Sequence, residues 1–363
     1  MKIRFDHQIF CKQRHGGVSR YFIELASCLK KSKTDDVSIF CPFHKNEYLY
    51  KSGFKKSYYI QDFPGSSIAL RGINTCIGMA TTKMNKSIDV FHETYYSGLS
   101  IKPPSSAGII TVFDMIHEKF PEHFQKYDVT SKEKRISVSR ADHVICISES
   151  TRKDLIEIFG IKPEKTSVVY LGHSFSCSNI LSERPMHKPY LLYVGQRRGY
   201  KNFNRFIQAY SESSVRLEGY SIICFGGGAF TEEEKIMFRK LKILESEIFN
   251  VGGSDEILSA YYSHAAMLVY PSLYEGFGIP LLEAMSHGCP VACSETSSLP
   301  EVGGNAALYF NPFSVDDIRY KIDALAFDKP HSQNLINAGW LRATEFSWDN
   351  CADNTKRIYE KCL

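Results

Sequence analysis

Along the chain, short apolar runs rich in β-branched and aromatic residues alternate with longer stretches whose apolar positions recur at spacings of three and four. The short runs read as strands and the longer stretches as covering helices, and their alternation predicts parallel sheets with helices on both faces. In the first half the predicted strands are Lys2–Phe5, Val37–Cys41, Asp89–His92, Gly108–Phe113, His143–Ile147 and Ser167–Leu171. A second series follows at Tyr190–Val194, Ser221–Phe225, Phe249–Val251, Met267–Tyr270, Pro290–Cys293 and Ala307–Phe310, each but the last leading into a helical pattern. After Gly16-Gly17, residues Val18, Phe22, Leu25 and Leu29 mark one buried helix face. Another helix, Thr151–Phe159, is closed by Gly160 and followed by Pro163, and the segment Trp348–Leu363 also reads as a helix.

Residues 173–188 lose this periodicity and are rich in serine, which marks a linker. At 363 residues the chain exceeds what one core usually serves. The expected division is a first domain over 1–178, a second over 179–345, and a C-terminal helix over 346–363 that crosses back to the first. The fold class is therefore α/β, with two Rossmann-like, doubly wound parallel-sheet domains facing across a cleft. In open parallel sheets ligands sit beyond the carboxyl ends of the strands, so the residues that follow each strand carry the functional information.

Composition changes this picture little. Hydrophobic residues at 43% and charged residues at 23% are ordinary for a globular enzyme. No stretch approaches the roughly 20 apolar residues of a spanning helix and the start lacks the apolar core of a signal peptide, so the expected compartment is the cytoplasm. The eleven cysteines include no CxxC pair, and Cys289 and Cys293 bracket a predicted strand; reduced, mostly buried thiols are expected rather than a zinc site. Charge is uneven. Residues 1–180 hold 26 Lys and Arg against 18 Asp and Glu, a balance of +8, whereas the remainder holds 18 against 22, a balance of −4. Clusters at Lys30, Lys31, Lys33 and at Lys51, Lys55, Lys56 give the first domain its basic character. A solvated surface accounts for them; attraction to an anionic membrane face or a lipid-diphosphate acceptor is the functional alternative. No nucleic-acid partner is expected.

The most informative stretch is YPSLYEGFGIPLLEAMSHGCP, Tyr270–Pro290. Pro271 ends a strand, and Gly276 and Gly278 give a turn whose backbone can approach a ligand closely. Pro280 suits the first turn of a helix with Leu281, Leu282 and Met285 on its apolar face, and Gly288 fits just past its end. The N-terminus of that helix, with its unpaired N–H groups and positive dipole end, is a site for phosphate. Glu275 and Glu283 flank it. Singly, each would be a solvated or helix-stabilising charge; placed together around this turn, Glu283 suits the two vicinal hydroxyls of a ribose and Glu275 a transferred sugar.

EGFGIPLLE resembles the Glu-x7-Glu motif of the family 4 retaining glycosyltransferases (glycosyl transferases group 1), which have the two-domain GT-B fold. The similarity runs through more than 40 residues, YPSLYEGFGIPLLEAMSHGCPVACSETSSLPEVGGNAALYFNP. It implies a nucleotide diphosphate sugar as donor, held by Gly276, Phe277, Gly278, Ile279, Pro280 and Glu283, with Glu275 catalytic. In VGQRRGYKN, Val194–Asn202, the resemblance assigns Lys201 to the donor diphosphate together with an arginine, either Arg197 or Arg198, the spacing leaving both open. Fixed cations would stabilise the charge growing on a leaving diphosphate. Gly16 and Gly17, and Gly226 and Gly227 after a central strand, match the glycine turns that approach the donor, while Val251–Gly253, Asp255 and Glu256 fit the border of the base. The sequence has no Asp-x-Asp triplet, and no catalytic metal or other cofactor is expected.

The match departs from pattern on the acceptor side. Many members carry His-Asp after a first-domain strand; TVFDMIHE has Phe113 in place of that histidine and keeps Asp114. His117 could approach the cleft if a short helix follows the strand, and His92 ends another strand; Asp114 and His117 are the acceptor-side candidates. Retention in this fold is described as front-face attack in which the departing phosphate oxygen takes the acceptor proton, so positioning and electrostatics matter more than a strong base. GDP-mannose is the first expectation for the donor and a UDP-hexose the second; the acceptor expected by analogy is a growing glycan, free or lipid-linked, of lipopolysaccharide or capsule. A non-catalytic scaffold of polysaccharide assembly and a sugar-nucleotide 2-epimerase are the competing readings.

Overall fold

The computed structural model describes residues 1–32, 34–54, 57–82, 87–173 and 184–363. Lys33, Lys55 and Lys56, and most of the expected linker, lie outside the described residues. The chain forms two compact units, Met1–Gly172 with Ser347–Leu363, and His173–Phe346.

The first unit is built on six parallel strands in the spatial order Asp36–Ile39, Lys2–Phe5, Val90–Glu93, Ala107–Val112, His143–Cys146 and Thr166–Val168. Among the interior strands Ala107–Val112 and His143–Cys146 carry the most apolar runs, as a sheet covered on both faces favours, whereas Lys2–Phe5 alternates charged and apolar residues. A short parallel pair, Phe43–His44 with Tyr58–Tyr59, was not foreseen; two-residue strands have no periodicity to read. In the helix Gly17–Lys31, Phe22, Leu25, Ala26 and Leu29 are buried, whereas Val18 in the first turn is half-exposed. Phe22 meets Phe5 edge to face at 5.8 Å. The helix Trp348–Lys361 packs along Gly17–Lys31, and its Tyr359 hydroxyl lies 2.6 Å from His92 Nδ1. His92 is fully buried and its Nε2 lies 2.9 Å from the Thr111 hydroxyl, so it is a core histidine.

The second unit has six parallel strands in the order Ile248–Val251, Ser221–Phe225, Tyr190–Val194, Met267–Tyr270, Val291–Ser294 and Leu308–Phe310. Numbered along the chain this is 3-2-1-4-5-6, the doubly wound order of dinucleotide-binding folds. The last strand does lead into a helix, Val315–Phe327, which the sequence reading missed. Its start is masked by the loop-like run Asn311-Pro312-Phe313-Ser314, where the Ser314 hydroxyl caps Asp317 N–H at 3.1 Å; Ile318, Ile322 and Leu325 then bury a helical face.

Each sheet has one place where successive connections leave in opposite directions. In the second unit it lies between Tyr190–Val194 and Met267–Tyr270, and in the first between Lys2–Phe5 and Val90–Glu93. Ligands of open α/β sheets bind at such switch points.

Candidate active site

The second switch point brings together the loops after its two flanking strands. Lys201, from the loop after Tyr190–Val194, donates to Glu275 Oε1 at 2.6 Å across a separation of 74 residues. The ammonium also lies 5.3 Å from the Tyr200 ring centroid and 5.7 Å from that of Tyr270, so aromatic faces wall the ion pair. Burial first, and then the Glu275 carboxylate, push the Tyr270 phenol well above its ordinary range.

The backbone on both sides of this pair is fixed. Asn202 adopts a left-handed φ of +57°, unusual outside glycine, and its amide donates to Pro271 O at 3.0 Å and to Pro312 O at 2.8 Å. It thus ties the Lys201 loop to the end of the Met267–Tyr270 strand. On the other side Ser297, also left-handed at +53°, accepts from Glu275 N–H at 2.9 Å. The fully buried Ser298 hydroxyl lies 2.9 Å from Glu275 O and 2.8 Å from Phe277 O. Neither serine was singled out from sequence; their sole signal was a place inside the 40-residue match.

Next to Glu275, Gly278 has φ +107°, and a Cβ there would fall 2.8 Å from Leu299 Cδ2, so the turn needs glycine for both conformation and space. The helix Ile279–Ser286 starts immediately, with Pro280 in its first turn and no side-chain cap; Leu281 N–H donates to Gly278 O at 3.0 Å, and the first-turn N–H suited to an anion is that of Ile279. Leu281, Leu282, Ala284 and Met285 are buried, as is Gly276. Glu283, nine-tenths buried on this helix, accepts from the Tyr262 hydroxyl at 3.0 Å. Tyr262 stacks on His287, whose Nδ1 lies 2.7 Å from Glu283 O. Tyr262 and His287 therefore orient Glu283; neither was singled out from sequence.

Arg197 and Arg198 have opposite environments. Arg197 is buried, donates from Nε to Glu234 Oε1 at 2.8 Å, and contacts the carbonyls of Gly226, Gly228 and Ala229 at 2.9–3.0 Å. The turn Gly226–Gly228, with φ of +85°, +73° and +74°, wraps round this guanidinium; a Cβ on Gly227 would fall 2.7 Å from Arg197 Nη1. The carbonyls of this glycine turn face an arginine. Most donors of Arg197, one of the two arginines expected at a diphosphate, are thus engaged by the fold. Arg198 is exposed at the same loop.

In the first unit Phe113 packs edge to face on Tyr21 at 5.3 Å and on Phe22 at 6.0 Å, so the side chain at the expected histidine position fills core. Asp114 Oδ1 accepts from Ile116 N–H at 3.1 Å and starts the short helix Ile116–Lys119 that carries His117. His117 stacks on Phe124 with centroids 3.8 Å apart and lies 3.7 Å from Asp128; burial, then Lys134, lower its pKa. The loop rests on Lys134, fully buried, which donates to Asp114 O at 2.9 Å and to Glu118 Oε2 at 2.7 Å. Gly17 opens the helix Gly17–Lys31, and a Cβ on Gly16 would collide with Gln13. Among the described residues, no group of three His, Cys, Asp or Glu is placed to hold a metal ion. Among them, too, no helix is long and apolar enough to cross a membrane.

Two six-stranded parallel-sheet units, the second with a charged switch point beside a helix N-terminus without a side-chain cap, have the architecture of the GT-B fold. The second half matches the family described as "Glycosyl transferases group 1" over residues 181–341 and the first half "Glycosyltransferase Family 4" over residues 15–174. The chain is 31% identical over 268 residues to O-antigen chain mannosyltransferase B of Escherichia coli, covering 69% of this chain and 70% of that one. It is also 31% identical to O-antigen chain mannosyltransferase RfbU of Salmonella typhimurium over 206 residues, just over half of each chain (56%). Anabaena HepE, solved in complex with UDP and glucose, superposes with a TM-score of 0.76 over 99% of this chain and 100% of its own at 17% identity, a likeness of fold. The chain belongs to the group 1 glycosyltransferases, and it is a glycosyltransferase of glycan biosynthesis.

Proposed function

We propose that this chain is a retaining hexosyltransferase that transfers mannose from a nucleoside diphosphate donor, GDP-mannose before a UDP-hexose, to a growing surface glycan of the lipopolysaccharide or capsule type. The observation that carries this reading is the 2.6 Å Lys201–Glu275 pair at the second unit's switch point, next to the uncapped start of Ile279–Ser286. The mannosyltransferase relatives support the sugar.

In this reading Lys201 and Arg198 take the donor diphosphate with the backbone N–H groups of Gly278 and Ile279. Lys201 leaves Glu275 as the phosphates arrive, and Glu275 turns to the hydroxyls of the transferred sugar. Glu283, with one oxygen held by Tyr262, accepts from the ribose. Two cations and a helix N-terminus then stabilise the leaving group without a metal, and the departing phosphate oxygen receives the acceptor proton. Asp114 and His117 remain the acceptor-side candidates. The enzyme would act in the cytoplasm, in peripheral contact with an anionic membrane face where the acceptor is lipid-linked.

The test is transfer by Glu275→Ala at saturating GDP-mannose. A fall of roughly 10²–10³ in kcat is expected for loss of a preorganised electrostatic group; an unchanged kcat would remove Glu275 from the chemistry. Thermal stabilisation by GDP against UDP assigns the base, product anomeric configuration assigns retention, and insensitivity to chelator assigns metal independence.

A further inference from the structure

A pocket of about 430 Å³ opens at the edge of the first sheet, lined by residues of the edge strand Asp36–Ile39, the adjoining Phe40–Pro42, Arg4 and Lys30. Among the described residues, Arg4 and Lys30 are the charged groups of its lining; Val37, Ile39, Phe40 and Phe54 form an apolar wall. The Lys30 ammonium lies 4.7 Å from the Phe54 ring centroid, held at that wall.

These two cations differ from their neighbours. Lys31, one residue on, is paired with Asp349 at 2.9 Å, and Lys356 with Asp35 at 2.5 Å. The side chains of Arg4 and Lys30 make no hydrogen bond or ion pair to any described residue. Arg4 sits on an inner strand opposite Ser38 and is half-buried; desolvation, only partly opposed by Asp36, lowers its pKa. A guanidinium half withdrawn from water, with Asp36 offsetting only part of that and no carboxylate in ion-pair contact, is a local cost that an anion in the pocket would offset. Its planar fork suits a tetrahedral oxyanion bidentately, and the lysine adds a point charge. The apolar wall suits what such an anion is esterified to.

We propose that this pocket is a phosphate-ester site, distinct from the donor site, in which Arg4 and Lys30 hold the phosphate and the Val37, Ile39, Phe40 and Phe54 wall receives the alkyl portion. The ester is either a phospholipid headgroup at a membrane surface or a free phosphorylated metabolite. Neither Arg4 nor Lys30 takes part in the donor reading, so the site stands whether or not that reading does.

The experiment uses the full chain carrying Lys201→Gln, which removes the phosphate-binding lysine proposed for the donor site. Binding of glycerol 3-phosphate is measured by titration, and binding to phosphatidylcholine vesicles with and without phosphatidic acid by sedimentation. A free-metabolite site binds glycerol 3-phosphate, and a lipid site binds only the vesicles that contain phosphatidic acid. In either case Arg4→Gln and Lys30→Gln should each weaken binding by about tenfold or more while the melting temperature stays level or rises. Binding indifferent to both substitutions, or no binding to either probe, overturns the proposal. If Arg4→Gln lowers the melting temperature, Lys30→Gln decides alone, because its side chain lies on an exposed helix face and its loss leaves the fold intact.

Discussion

The two units place the switch point in nearly the same position of a six-stranded parallel sheet and fill it differently. In the second unit the loops there present an ion pair, Lys201–Glu275, beside a helix N-terminus without a side-chain cap. In the first unit the loops are tied to each other. Asp6, just beyond Lys2–Phe5, accepts from Thr94 N–H at 2.8 Å, from the Thr94 hydroxyl at 2.5 Å and from Gln8 N–H at 3.2 Å. His7 Nε2 lies 3.2 Å from the Thr75 hydroxyl, and Gln8 accepts from Arg71 at 2.8 Å. Burial raises Asp6 to about 6 and lowers His7 to about 4. Topology selects where loops can meet; the polar residues on those loops decide whether the place is held closed or offered to a ligand.

The largest effects that would sharpen this contrast come from buried ion pairs, which should be structural in both units. Lys134→Met in the first and Arg197→Met in the second should each lower unfolding stability by about 3–5 kcal/mol, because each strands a buried carboxylate. Arg198→Ala should leave stability unchanged and weaken donor binding by roughly tenfold. Denaturant melts with donor titrations read both. If Arg197→Met melted like the parent and lost donor affinity instead, the two arginines would exchange roles.

Acid should separate the units next. His7, His44 and His92 are buried in the first unit and lowered to about 4, 4 and 3 by desolvation. Because these values lie below the unfolded one of 6.5, the neutral ring contributes stability that is complete above about pH 6.5 and lost as the pH falls toward them. His92 alone is worth on the order of 3 kcal/mol by pH 4. The two tryptophans report separately, Trp340 from the second unit and Trp348 from the first. In single-tryptophan variants, Trp348 fluorescence should change at higher pH than Trp340; coincident transitions would show one cooperative molecule.

Smaller effects test how the second site is held. Ser298→Ala leaves Glu275 O and Phe277 O without their side-chain donor, at about 1–3 kcal/mol. It should lower kcat more than it weakens binding of the bare nucleoside diphosphate, since it disturbs the residue assigned to the sugar. Tyr262→Phe removes one hydrogen bond from Glu283 and should change donor affinity by no more than about 1 kcal/mol. An equal loss for sugar-bearing and sugar-free nucleotides would place that effect at the ribose.

The sheets were legible because strands covered on both faces must be apolar in short runs: Tyr190–Val194, Ser221–Phe225 and Met267–Tyr270 fall where the runs predict, and Lys2–Phe5 falls where its alternation of charged and apolar residues does. The turn Glu275–Gly278 was legible too, since glycine, proline and carboxylate lie within one local segment. What could not be read depends on contacts distant in sequence. The choice between Arg197 and Arg198 turns on Glu234, 37 residues from Arg197. The hold on Glu275 comes from Ser297 and Ser298 on the next strand's loop, and serines give no pattern. Phe113 was visible as a departure, but its packing on Tyr21 and Phe22 required the fold.

The helix Trp348–Lys361 lies against Gly17–Lys31, and a Cβ on Gly172 would collide with the Trp348 backbone. During synthesis the first unit is therefore left open while every residue of the second is added. Its Tyr21 and His92 region stays uncovered until Tyr359 leaves the ribosome, a wait of about 10–35 s at typical elongation rates. The half that begins to fold first is thus the half that finishes last, and a nascent chain halted before Trp348 should hold a complete second unit and an unsealed first one.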